Sequence, residues 1–127
     1  MKRIIFVVCG LAIAFSCVGS PPATASPAGE EALFFWIKQA YHFMEQATQA
    51  PRLTDARFYA SKAKSAAEKA RTEALHLGLE LAAMHLRDAY YYALQVKKTY
   101  TLDLAHSYAK KAMRAAEDGR IAAARRK

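Results

Sequence analysis

The sequence predicts an all-α protein, an up-down-up-down four-helix bundle made of two duplicated helical hairpins. The first observation behind this is an internal repeat. The stretch Ala56 to Arg71 returns 49 positions later as Ala105 to Arg120, with Tyr59, Ala60, Lys62, Ala63, Ala66, Ala67, Glu68 and Arg71 matched by Tyr108, Ala109, Lys111, Ala112, Ala115, Ala116, Glu117 and Arg120. The same offset pairs Gly29 with Gly78, Glu31 with Glu80, Ala40-Tyr41 with Ala89-Tyr90, Gln46 with Gln95, Leu53 with Leu102 and Ala74 with Ala123. One unbroken register over about fifty positions marks a duplication, not merely a shared alanine-rich composition. The second observation is that each repeat couples a bulky helix to one whose inner face is alanine. The third is that Pro51 and Gly78 break the helical pattern where hairpin turns belong.

The chain has 127 residues, and its opening reads as an export signal. Lys2-Arg3 precedes the apolar run Ile4 to Phe15, which is too short to span a bilayer, and Ala23-Thr24-Ala25 before Ser26 has the small-x-small form of a cleavage site. The expected division is a signal peptide over 1–25 and a bundle over 26–127, destined for the periplasm or secretion. The alternative is a lipoprotein cleaved before Cys17, which would hold the protein at a membrane; Phe15 stands where such a site prefers a small residue. Both cysteines, Cys9 and Cys17, lie in this segment, so the remaining domain has no thiolate with which to bind a metal or attach a c-type haem. The formal charge is +8, and removing Lys2 and Arg3 leaves +6. That balance favours acidic partners only in a general way.

Helix one is expected from Ser26-Pro27 to about Thr48, with Glu30 and Glu31 where the helix dipole favours acids and an apolar side of Leu33, Phe34, Trp36, Ile37, Tyr41, Phe43 and Met44. Thr54 is expected to cap helix two, Asp55 to about Leu77, which Gly78 ends. Helix three runs from about Leu79 to Lys98, carrying Ala82, Leu86, Ala89, Ala93 and Val96 at helical spacing. Asp103, at the repeat position of Thr54, is the expected cap of helix four, from about Leu104 onward. Hairpin one thus covers about 29–77 and hairpin two 78–127. Alanine faces on helices two and four let the axes approach and leave room for the rings of helices one and three. One hairpin cannot bury both its faces, whereas two together can, in a bundle about 33 Å long.

Candidate chemistry centres on His42, His76, His85 and His106, each with an acid three or four positions away. Such a pair on one helix face can place an imidazole and a carboxylate on one ion, which makes the four histidines the candidate ligands for copper, nickel or zinc. Glu73-x-x-His76 has the form used by di-iron bundles, but Asp103-His106 falls at the opposite end of the fold. The clusters that remain are His76 with His85 and His42 with His106. Met44 and His106 also have the types of haem axial ligands, although Met44 on the apolar stripe is more simply core. Tyr90-Tyr91-Tyr92 cannot all face inward, because consecutive helical residues are about 100° apart. An exposed ring beside Lys97-Lys98 would form a partner-binding surface of Tyr91, Tyr92, Lys97 and Lys98.

The basic residues of helices two and four fall on diagonal helices, so their charge is divided between two sides, which argues against a nucleic-acid channel. Lys64-Glu68 and Arg114-Asp118 pairs are expected to lace those faces. The sequence holds no phosphate loop, nucleophile elbow or zinc-protease motif, and Gly29, Gly78 and Gly119 are expected at helix ends or turns, so no catalytic activity is expected.

At His85-Leu86-Arg87-Asp88-Ala89-Tyr90-Tyr91-Tyr92-Ala93 and Ala105-His106-Ser107-Tyr108-Ala109-Lys110-Lys111-Ala112 the chain resembles the small metal-binding protein family. Those are exported bacterial four-helix proteins of Ala- and His-rich hairpins. The resemblance implies reversible binding of copper, nickel or zinc, with His85 and His106 as the matching positions and Tyr91, Tyr92 and Tyr108 standing where that pattern has histidine. The function expected is therefore that of an exported, non-enzymatic helical-bundle binding protein with weak divalent-metal binding. The alternative is an accessory subunit of an envelope complex, docking through the Tyr/Lys surface.

Overall fold

The computed structural model describes residues 25–125, with side chains from Gly29 onward, and the readings of the export segment and its two cysteines fall outside that range. Four helices follow one another: α1 (Ala25–Gln49), α2 (Leu53–His76), α3 (Glu80–Lys98) and α4 (Leu102–Ala124). Helices adjacent in sequence pack side by side, α4 closes back onto α1, and α1/α3 and α2/α4 are the diagonals. The expected bundle of two hairpins is what forms.

Alanine explains which diagonal is the tighter. Ala56, Ala60, Ala63, Ala67 and Ala70 on α2 and Ala105, Ala109, Ala112 and Ala116 on α4 are all buried, and these two helices approach each other more closely across the core than α1 and α3 do. The largest fully buried side chains are Leu33, Ile37, Met44, Leu86 and Val96. The repeat balances volume between neighbouring layers: Met44 and Ala47 in hairpin one become Ala93 and Val96 in hairpin two, and all four pack in one cluster. The rings expected to fill the centre instead sit half-buried at its margin, Trp36, Tyr41 and Phe43 among them. The alanine helices come too close together to leave space for a ring between them.

The helix starts correct the sequence reading. Thr54 and Asp103 are not caps; both lie inside the first turn. The capping positions are Arg52 and Thr101, repeat mates in the same extended conformation, and only Thr101 accepts a side-chain bond, from Leu104 N at 3.2 Å. The cause is packing. Leu53 and Leu102, also repeat mates, lie against the core, so the helix must already have begun when the chain reaches them. Gly78 behaves as expected. Its φ of +74° is left-handed, Leu79 N bonds to Ala74 O at 2.8 Å and Gly78 N to Leu75 O at 3.1 Å, the paired bonds of a Schellman turn. Gly119, expected at a helix end, is inside α4, where a Cβ would stand 3.0 Å from Leu86 Cγ.

Candidate functional site

The four histidines lie one on each helix. His42 is exposed on α1, with Nδ1 4.0 Å from Glu45 Oε1. His76 is exposed at the last position of α2 and His85 half-buried early in α3. His106, in the first turns of α4, reaches across to the α1–α2 link, with Nε2 2.9 Å from Ala50 O. A carbonyl only accepts, so Nε2 carries the hydrogen and Nδ1 is the nitrogen left for another partner. Among the described residues, no group of three or more His, Cys, Asp or Glu side chains is arranged to hold a metal ion. Met44 is buried in the core cluster beside Ala93, Val96 and Ala105, consistent with a packing role.

The four residues proposed for docking divide. Tyr91 is exposed and shares an outward line with Lys98 seven residues on, also exposed. Tyr92 turns to α4 instead and stacks on Tyr108 with ring centres 6.4 Å apart, while Lys97 is half-buried. At least one ring of the Tyr90-Tyr91-Tyr92 run was bound to be exposed, and it is Tyr91, set edge-on against Tyr90 at 5.5 Å.

The lysines do something the sequence reading missed. Lys62 Nζ lies 5.8 Å from the Phe43 ring and 5.0 Å from Phe58, Lys64 5.2 Å from Tyr90, and Lys69 4.4 Å from Trp36. Lys111, the repeat mate of Lys62, covers Tyr92 at 5.9 Å and Tyr108 at 5.5 Å. The contacts to Phe43, Tyr90, Trp36 and Tyr92 are cation–π contacts across the seams where bulky and alanine helices meet, with alkyl stems over half-buried rings, whereas those to Phe58 and Tyr108 lie within α2 and α4. The expected Lys64-Glu68 and Arg114-Asp118 pairs do not form. Other short-range ion pairs do, with Arg52 Nε 3.0 Å from Asp55 and Arg120 Nη2 2.6 Å from Glu117. The hydrogen bond from Arg120 holds the Glu117 carboxyl below the usual carboxylate range, and the same bond raises Arg120, as Asp55 raises Arg52.

Surface hollows are open to solvent. One lies against Glu30, Glu31, Phe34, Phe35 and Lys38 on α1, and another between α1 and α4 against Tyr41, Lys110, Met113, Arg114 and Glu117. No family model matches the chain, and neither a curated protein nor a solved structure matches it. The likeness to small metal-binding proteins therefore rests on the residues around His85 and His106 alone. No described helix is long and apolar enough to cross a membrane.

Proposed function

We propose that this is an exported, non-catalytic helical-bundle binding protein that docks a protein partner of the cell envelope through the outward face of α3. One observation carries the reading: Leu81, Met84 and Tyr91 are 56, 46 and 52% exposed on one helix whose inner face is already filled by Ala82, Leu86, Ala89, Ala93 and Val96. Large apolar side chains grouped on an outward face are a usual mark of an interaction surface. A photocrosslinking residue at Tyr91, in the full chain expressed in its own cell, should give a discrete protein adduct that disappears in Met84→Lys. Absence of an adduct, or one indifferent to Met84→Lys, would sink the reading.

Weak metal binding is a second reading, supported by His42 and Glu45 as an exposed pair that an ion could bridge. Copper should then bind the full chain at neutral pH and leave on acidification, because protons compete with the metal for its ligands. His42→Gln should remove most of that binding. If no saturable heat is seen with copper, nickel or zinc, the metal reading is lost and the docking reading is untouched.

A further inference from the structure

The duplication repeats more than the core. On α1, Glu31, Phe35, Lys38 and His42 follow one another at spacings of four, three and four residues, and all four are exposed. The repeat offset carries them onto Glu80, Met84, Arg87 and Tyr91 of α3, also all exposed. Spacings of four, three and four are those of a heptad seam, which keeps the residues on one line of the helix. Each outward face therefore carries the same order of acid, apolar group, base and ring. Core positions in a duplicated chain stay alike because packing demands it, but none of these eight belongs to the buried core. Since α1 and α3 are diagonal, the two stripes look out from opposite sides of the molecule.

We propose that a second copy of this chain docks on these stripes, helix against antiparallel helix, and that the two stripes join copies into an open row. The proposal rests on the reading of α3 as a docking face and names its occupant. The antiparallel register lays the acidic end of each stripe along the half of the other that holds its base, and this complementarity carries the proposal. In an antiparallel seam each residue of one heptad class faces the other class on the partner helix, so Phe35 meets Lys38 of the other copy and Glu31 meets His42. On α3, Met84 meets Arg87 and Glu80 meets Tyr91. If α1 of one copy meets α3 of the next, the same register sets Glu31 against Tyr91, Phe35 against Arg87, Lys38 against Met84 and His42 against Glu80. In every combination the acid faces an imidazole or phenol donor, and the base lays its alkyl stem over an apolar side chain. The parallel arrangement would instead set acid on acid and base on base, which disfavours it.

With a stripe on each of two opposite sides, contacts do not close at a dimer. Each stripe spans about 16 Å of helix, from 1.5 Å per residue, so each contact is small and belongs with weak, transient interfaces below about 1,000 Å². Sedimentation of the full chain from about 10 μM to about 1 mM, a range that covers dissociation constants of that strength, should show a mean mass that rises past the dimer without a plateau. Phe35→Lys places a lysine opposite Lys38 and blocks the α1 stripe, so its mean mass should stop at the dimer. Met84→Lys should do the same through α3, and the double variant should stay monomeric with an unchanged thermal melt, since both positions are outside the core. A monomeric wild type at the highest concentration overturns the proposal, as does a double variant that associates like the wild type. If the wild type is monomeric but Tyr91 still crosslinks to a different protein, this inference fails and the docking reading stands. If both measurements are negative, both fail.

Discussion

Arg57 and His106 occupy the same position of the two repeats, and each donates across the bundle to the carbonyl closing the other hairpin's first helix: Arg57 Nη2 to Thr99 O and His106 Nε2 to Ala50 O. Ala50 and Thr99 are themselves repeat mates. The covalent link between hairpins, at Gly78, is at the opposite end of the bundle. These two bonds clasp the end that the chain does not hold.

Arg57→Ala should therefore cost more than His106→Ala. Arg57 donates from a guanidinium, always charged, to Thr99, which is 8% exposed, so its loss is expected to cost about 1.5 to 3 kcal/mol, against about 0.5 to 1.5 for the single bond from the His106 ring. Denaturant melts of the two single variants give the order. Equal, negligible costs would mean that the clasp holds nothing.

Ala63→Leu and Ala112→Leu test the alanine seam. Both positions are repeat mates, essentially without exposure and in the same cluster as Met44 and Val96. Added carbons have nowhere to go on the close diagonal, so each variant should lose roughly 1 to 3 kcal/mol by chemical denaturation.

The repeat made the architecture legible, because burial demands identity: Ala56, Ala60, Ala63, Ala66, Ala67 and Ala74 of α2 each recur as alanine in α4, and every one of these pairs lies in the core. The clasp was invisible for the converse reason. Arginine and histidine share no identity, only a donor pointing the same way, and a comparison by residue type passes over them. Helix starts were misplaced because Thr54 and Asp103 have capping chemistry, while the burial of Leu53 and Leu102, a tertiary effect, decides where the helix begins. Tyr91 could be foreseen only as one exposed ring among three, because helix phase fixes the angles between neighbours and not which of them faces out.

Glu117 should give a small pH-dependent contribution. Its carboxyl lies below its ordinary range because Arg120 bonds the charged form, so its stabilisation is present above the unfolded value and fades as pH falls through the folded one. Both side chains are over a third exposed, and solvent screening keeps the effect small. Glu117→Gln should melt below the wild type at neutral pH and level with it in acid. Its repeat mate Glu68 forms no such ion pair with Arg71, so Glu68→Gln serves as the control and should follow the wild type at both.

Gly119→Ala puts two effects in opposition. Within a helix, alanine is favoured over glycine by about 1 kcal/mol, so an open site would gain stability. This site is tight, since the new Cβ would stand 3.0 Å from Leu86 Cγ and 3.1 Å from Cδ2, and Leu86 is fully buried in a cluster with Leu33, Ile37, Ala82 and Ala123. Overpacking of this kind costs about 1 to 3 kcal/mol, so the net change should be destabilising. Hairpin one shows the alternative solution, with Ala70 at the position of Gly119 and Ile37 at that of Leu86. Leu86→Ala should itself cost about 2 to 5 kcal/mol by leaving a cavity, but in that background Gly119→Ala meets no clash and should become stabilising by its helix preference. The sign reversal, read from a double-mutant cycle, separates close packing from backbone propensity. If Gly119→Ala stabilises the unmodified chain, Leu86 is free to move and the close packing of α3 on α4 is not what selects glycine there.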